Sequence, residues 1–177
     1  MPPYETLKRT ELFKGKIMDF VRDTITLPNG KTTDREIVLR GNAAAVVPVD
    51  SDGNIILVRQ YRHPVVKEVL EIPAGMLEKD EDPMVCAVRE LEEETSFKAN
   101  KVTPVFPICP AIGFCNEMLY IYIAEDLQPG QLNPDPDEFV SVEKYSLDEC
   151  IDMILNNEIM DGKTVAALLM YKCFFLQ

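Results

Sequence analysis

The stretch from Gly75 to Phe97, GMLEKDEDPMVCAVRELEEETSF, constrains this chain more than any other. Asp82 followed by Pro83 is a helix start, because the aspartate can cap the first turn and the proline's missing N–H costs nothing there. Met84, Val88, Leu91 and Thr95 then recur at helical spacing and are expected to pack on a core. At about 100° of turn per residue, Glu90, Glu93 and Glu94 fall within an arc of about 100° away from that face, while Glu92 points to roughly the opposite side. The expectation is a helix with one face that packs and another that binds.

Three like charges at this spacing repel one another unless a cation sits between them. Hard divalent ions such as Mg²⁺ take carboxylate clusters of this kind together with substrate phosphates, so Glu90, Glu93 and Glu94 form a candidate metal site for phosphate chemistry. Arg89, four residues before Glu93, can hold a ligating carboxylate in orientation through a helix-surface ion pair. An arbitrary run of glutamates is most often a solvated helix face. The length and spacing of the pattern outweigh that reading here.

These residues resemble the signature of the Nudix hydrolases, which runs glycine, five residues, glutamate, seven residues, Arg-Glu, an aliphatic residue, any residue, Glu-Glu, any residue, glycine and an aliphatic or aromatic residue. Gly75, Glu81, Arg89, Glu90, Leu91, Glu93, Glu94 and Phe97 match it with correct spacing. Ser96 stands where the family has glycine, at a helix end that usually takes a left-handed residue. Either Ser96 accepts strain of about 1 kcal/mol or the helix ends differently.

Over most of the chain the resemblance extends to the ADP-ribose pyrophosphatase branch of that family. It is carried by Arg59-Gln60-Tyr61-Arg62, Glu71-Ile72-Pro73-Ala74-Gly75, Gly113-Phe114-Cys115-Asn116-Glu117 and the C-terminal EFVSVEKYSLDE. The resemblance implies that Arg62 lies against the substrate's phosphates, a role suited to its planar, permanently charged fork. It implies that the Ala74 carbonyl joins the glutamates as a metal ligand, with Gly75 letting the chain pass close to the ion. Glu71 is expected to support that loop beside the substrate, and Arg35 to reach a nucleobase across a dimer interface. Glu117 is the expected base for the attacking water, with Glu93 the first alternative. One position departs from the branch: Ile112 precedes Gly113 where ADP-ribose enzymes usually carry a proline, and Pro110 stands two places early.

A length of 177 residues suits one globular unit with a small N-terminal appendage, here taken as residues 1–40, a dimerising β-sheet, followed by a hydrolase domain over 41–177. Eighteen basic and 30 acidic residues give a net charge of −12, which disfavours nucleic acid and anionic membranes as partners. An acidic protein that handles a phosphate then needs local positive charge from arginines and metal. The five cysteines form no CxxC pair and read as small core residues of a reducing, cytoplasmic compartment. No signal-like segment and no membrane-length apolar run is expected.

Strand patterns fill Thr6 to Arg40, with a turn at Pro28-Asn29-Gly30. AAAVVPV and NIILVRQYR, split by Ser51-Asp52-Gly53, read as a hairpin buried on both faces. KVTPVFPI, EMLYIYIA and FVSVEKY read as strands, with an acidic, proline-rich loop over 128–138. Ser146 with Glu149 forms a capping box, and Asp161 can cap the last helix. The order of elements is that of an α+β protein, and the resemblance implies an α/β/α sandwich with a mixed sheet. His63, the only histidine, reads as structural.

The leading expectation is a hydrolase dependent on Mg²⁺, with Mn²⁺ as a substitute, that splits ADP-ribose into AMP and ribose 5-phosphate as a homodimer. The alternatives are hydrolysis of another nucleoside diphosphate sugar such as GDP-mannose, or a non-catalytic nucleotide sensor on the same fold. The sensor is opposed by the intact carboxylate set and by the lack of a basic DNA-binding stretch.

Overall fold

The computed structural model describes residues 4–131 and 139–175, which fall into two compact units. One holds the residues up to Asn42 together with Cys109–Met118; the other holds Ala43–Ile108 and the residues from Leu119 onward.

In the first unit β1 (Thr6–Lys14), β2 (Met18–Thr26) and β3 (Thr32–Arg40) form an antiparallel sheet in that order. The β2–β3 turn closes where expected, with Gly30 at φ 79° and its N–H donated to the Leu27 carbonyl at 2.9 Å. Asp23 of β2 is buried but held by both Nε and Nη2 of Arg9 at 2.7 Å. The 109–118 segment joins at the edge of β3: the Val38 N–H donates to the Phe114 carbonyl at 2.8 Å, and the Arg40 N–H to the Asn116 side chain at 2.9 Å.

The second unit has two sheets. One is ordered β7 (Ala74–Met76), β4 (Ala43–Pro48), β9 (Leu119–Pro129), β8 (Phe97–Pro104), with β4 and β9 parallel. The other is ordered β10 (Val140–Ser146), β5 (Asn54–Arg62), β6 (Lys67–Glu71). This corrects the expected hairpin, because β4 and β5 lie in different sheets and share only the isolated bridge Val49–Ile55. A strand buried at all six positions needs partners on both edges and layers on both faces, so β4 takes the centre of its sheet.

Helix α1 (Pro83–Thr95) covers one face of that sheet, where Cys86, Ala87 and Leu91 pack on Ala44, Val46 and Tyr122. On the other face Ala43, Ala45 and Val47 meet Ile55, Leu57, Leu70 and Ile72, together with Cys150 of α2 (Leu147–Leu155) and Leu168 and Tyr171 of α3 (Gly162–Phe175). The layers are those of the expected α+β class. Both expected caps form: Ser146 and Glu149 exchange bonds at the start of α2, and Asp161 accepts the Thr164 N–H at 3.0 Å.

Three smaller expectations change. β9 continues through Pro129, into the expected acidic loop, whose residues 132–138 lie outside the described ones. Cys86 and Cys150 are core residues, but Cys109 and Cys115 are half-buried and Cys173 is exposed. His63 is exposed at a single 3₁₀ turn. Among the described residues no helix is long and apolar enough to cross a membrane.

Candidate active site

The site is built where β7 meets α1. Asp82 caps α1 by accepting the Met84 N–H, with Pro83 in the first turn, as expected. The buried face of the helix keeps the expected Leu91 and Thr95 but is turned from the expected one. Cys86, Ala87 and Leu91 are buried together with Glu90 (8% exposed), Glu94 (2%) and Thr95, whereas Met84 is exposed. The two glutamates are therefore turned into the protein, and their desolvation is tolerated only beside groups that compensate a negative charge.

Gly75 makes the room for this. A Cβ added there would stand 1.8 Å from Glu90 Oε1 and 2.5 Å from Oε2, so the Glu90 carboxylate rests on the bare Cα of Gly75. The strand is fastened to the helix at its next carbonyls too: Cys86 Sγ donates to Gly75 O at 3.7 Å and Arg89 Nη2 to Met76 O at 3.3 Å.

Arg89 is the hub. Its Nη1 donates to Glu90 Oε1 at 2.7 Å and to Glu93 Oε2 at 2.9 Å, and its Nε and Nη2 grip Glu81 at 3.0 and 3.1 Å. The expected pairing with Glu93 is present, and the other two partners extend it. Arg89's hydrogen bonds hold the Glu81 carboxyl at a pKa of about 2, and burial pushes the Cys86 thiol up to about 12, which keeps it inert. Glu81 also accepts the Glu78 N–H at 2.8 Å, so it braces the loop before α1. Ser96 ends the helix in the left-handed conformation at φ 62°, which resolves the alternatives at that position in favour of strain.

Three carboxylates around one guanidinium leave an excess of two negative charges, the balance of a divalent cation. The donors are hard oxygens, and the bare Gly75 Cα leaves Glu90 room against the strand, so the residues present fit such an ion. In this arrangement Arg89 draws Glu90 and Glu93 to itself, and no three His, Cys, Asp or Glu side chains converge as a finished cage among the described residues. Ala74 pairs with Ala45 in the strand just before Gly75.

Arg62, at the end of β5, donates Nε and Nη2 to Glu71 at 2.7 and 2.8 Å, and its side chain remains 43% exposed. Those hydrogen bonds raise its pKa, with the charges of Glu94 and Asp161 adding to the effect, so Arg62 lies within electrostatic reach of Glu94. Arg35 is exposed, bonded to Thr33 and to the Asp34 carbonyl. Glu117 belongs to the first unit, where it pairs with Arg40 Nε at 3.3 Å. Sequence reasoning gave Glu81 no role beyond the pattern, read Asp161 only as a helix cap, and missed Arg40 and Lys163. Glu81 had a visible signal in its spacing from Arg89, and Asp161 in its place before the last helix; Arg40 and Lys163 had none.

Comparison with known proteins shows the family and the fold. The model of the NUDIX domain matches residues 39–168. The chain is 39% identical over 166 residues to an ADP-ribose pyrophosphatase of Bacillus subtilis, covering 93% of this chain and 90% of that protein. It is equally similar, with the same coverage, to the methanol dehydrogenase activator of Bacillus methanolicus. A crystal structure of an ADP compounds hydrolase superposes with a TM-score of 0.87 over 97% of this chain and 94% of that one; at 23% identity this likeness speaks for the fold.

Proposed function

We propose that this chain, which belongs to the Nudix family and is a hydrolase, cleaves the pyrophosphate of ADP-ribose to AMP and ribose 5-phosphate. The observation that carries the reading is the Glu90 carboxylate seated on Gly75 under Arg89, a preorganised acidic site on the side of the helix that faces the protein. Full-length similarity to an ADP-ribose pyrophosphatase supports the substrate.

Glu90, Glu93, Glu94 and the Ala74 carbonyl would hold Mg²⁺, or Mn²⁺ in its place, which when bound neutralises charge on the pyrophosphate and makes water more acidic. Arg89 orients Glu90 and Glu93, and Glu81 fixes Arg89 in turn. Arg62 binds a phosphate and is aimed by Glu71. Glu117 takes the proton of the water as its oxygen bonds to phosphorus and the bridging P–O bond breaks. Arg35 contacts the adenine from a second subunit.

A homodimer joined through residues 1–40 accords with the apolar residues exposed on that sheet, among them Leu7, Leu12, Phe13 and Met18. Light scattering at micromolar concentration should give twice the chain mass, and a monomer rejects the dimer. The compartment consistent with five free thiols is the cytoplasm.

The deciding experiment is hydrolysis of a panel of nucleoside diphosphate sugars, ADP-ribose and GDP-mannose included, across a Mg²⁺ titration. Glu94→Gln should lower turnover about 10²–10³-fold at limiting Mg²⁺ while the protein stays folded. Glu117→Gln should lower kcat about 10²–10⁴-fold with the Mg²⁺ requirement unchanged. Near-normal activity of Glu94→Gln at limiting Mg²⁺ refutes the metal site, and unchanged kcat in Glu117→Gln returns the base to Glu93.

A further inference from the structure

A second charged cluster lies at the end of β6, outside the glutamate signature. Glu71, 2% exposed, accepts both nitrogens of Arg62 and also the Lys163 ammonium. Lys163, whose side chain is 14% exposed, reaches Asp161 Oδ2 at 3.0 Å as well. The same Asp161 oxygen accepts the Thr164 N–H at 3.0 Å and hydroxyl at 2.6 Å, and the Thr164 hydroxyl accepts the Ile72 N–H at 2.9 Å. The start of α3 is thereby tied to Glu71 and to the amide after it, 92 residues earlier in the chain.

An isolated arginine–carboxylate pair is neutral and offers an anion little attraction. Here one buried carboxylate is shared by two cations, and Lys163 is shared in turn between Glu71 and Asp161, so the four side chains balance and Arg62 is not the sole counter-ion of Glu71. Asp161 Oδ2 meets Lys163 Nζ at 3.0 Å and also accepts from the first turn of α3, where the helix dipole favours its charge. Burial alone would push the Glu71 carboxyl up, but the hydrogen bonds of Arg62 and the charge of Lys163 outweigh it and hold the carboxyl below its ordinary range. The carboxylate that aims Arg62 therefore stays ionised.

We infer that Lys163 is a positioning residue: by sharing Glu71 it fixes the carboxylate that aims Arg62 and serves as that carboxylate's second counter-ion, so that Arg62 is not its only one. This rests on the assignment of Arg62 to a phosphate made above. Lys163 acts through Glu71, so its contribution should depend on Arg62 being present.

The test is a double-mutant cycle of Lys163→Met and Arg62→Met, read as ADP affinity by calorimetry, as kcat and KM on ADP-ribose, and as Tm. Lys163→Met should weaken ADP about tenfold and raise KM with kcat little changed, since the interaction is made equally in ground and transition states. In the Arg62→Met background the same change should cost less than twofold, and Lys163→Arg should restore most of the affinity. A role in folding alone would lower Tm and affinity by the same amount in both backgrounds. That additivity, or undiminished ADP affinity in Lys163→Met, overturns the inference. Lys163→Gln, which keeps a donor for Asp161, carries the cycle if the Met variant fails to fold. A chain that binds ADP but leaves ADP-ribose intact rejects the proposed reaction while the ADP cycle still decides Lys163; one that binds no ADP overturns both.

Discussion

Gly75→Ala tests the site through space alone. Gly75 does not have a positive φ, so alanine fits the backbone, and the whole effect must come from the added methyl group. That carbon would stand 1.8 Å from Glu90 Oε1 and 2.1 Å from its Cδ, whereas an unbonded carbon and oxygen keep about 3.3 Å apart. The carboxylate must therefore retreat by about 1.5 Å, off the Arg89 Nη1 that it now meets at 2.7 Å. Losing a charge-assisted hydrogen bond costs about 1.5–3 kcal/mol, and the stiffer unfolded chain returns about 0.4–1 kcal/mol of that. The net of about 1–2 kcal/mol should lower Tm by about 2–8 °C. Activity should fall further, by about 10²-fold or more in kcat, because a displacement of about 1 Å in a positioned group already costs that much. Calorimetry and steady-state kinetics on ADP-ribose measure the two effects. Gly162→Ala, where a Cβ meets nothing within 4 Å, controls for the general effect of the substitution on Tm. A Gly75→Ala enzyme with kcat within about threefold of wild type would refute the reasoning that Glu90 must lie on Gly75.

Two further outcomes follow from the ends of the same segment. Ser96→Gly should raise stability by about 0.5–1 kcal/mol in denaturant unfolding, because glycine takes φ 62° without the cost borne by a side chain; a destabilised variant would show that the Ser96 side chain contributes more than its strain costs. Arg89's hydrogen bonds depress the Glu81 pKa to about 2, so the stability drawn from this pair is complete above about pH 4.5 and is lost as pH falls toward 2. Glu81→Gln should be about 1–2 kcal/mol less stable at pH 7 and should lose less on acidification through that window; parallel curves for mutant and wild type would contradict the pairing.

Elements with local causes were legible in the sequence. Asp82-Pro83 and the Ser146–Glu149 pair mark helix starts because each cap bonds within a few residues of itself. Helical spacing likewise brought Glu90, Glu93 and Glu94 to one arc. The burial of Glu90 and Glu94 was not legible, because it depends on the bare Cα of Gly75 and on β7 pairing with β4. The Asp50–Gly53 turn has the same local chemistry whether the strands beside it pair or diverge, and the partners that draw β4 away come from 74–76 and 119–124. Lys163 and Glu71 meet across 92 residues with no periodicity to announce them.

The two charged clusters of the second unit are balanced differently, and this bears on how a chain of net charge −12 can handle a phosphate. Around Arg89 one guanidinium serves Glu81, Glu90 and Glu93, which leaves negative charge for a cation. At Glu71 one carboxylate serves Arg62 and Lys163, and Asp161 completes the balance, so Arg62 has no carboxylate to itself. Elsewhere arginines are neutralised by partners of their own, as Arg9 is by Asp23 and Arg59 by Glu143, and offer an anion little. A pyrophosphate with a divalent ion presents both signs at once, and low-dielectric surroundings strengthen each attraction. Removing either balance should therefore impair a different half of the same ligand: Glu94→Gln the metal requirement, Lys163→Met the affinity for ADP.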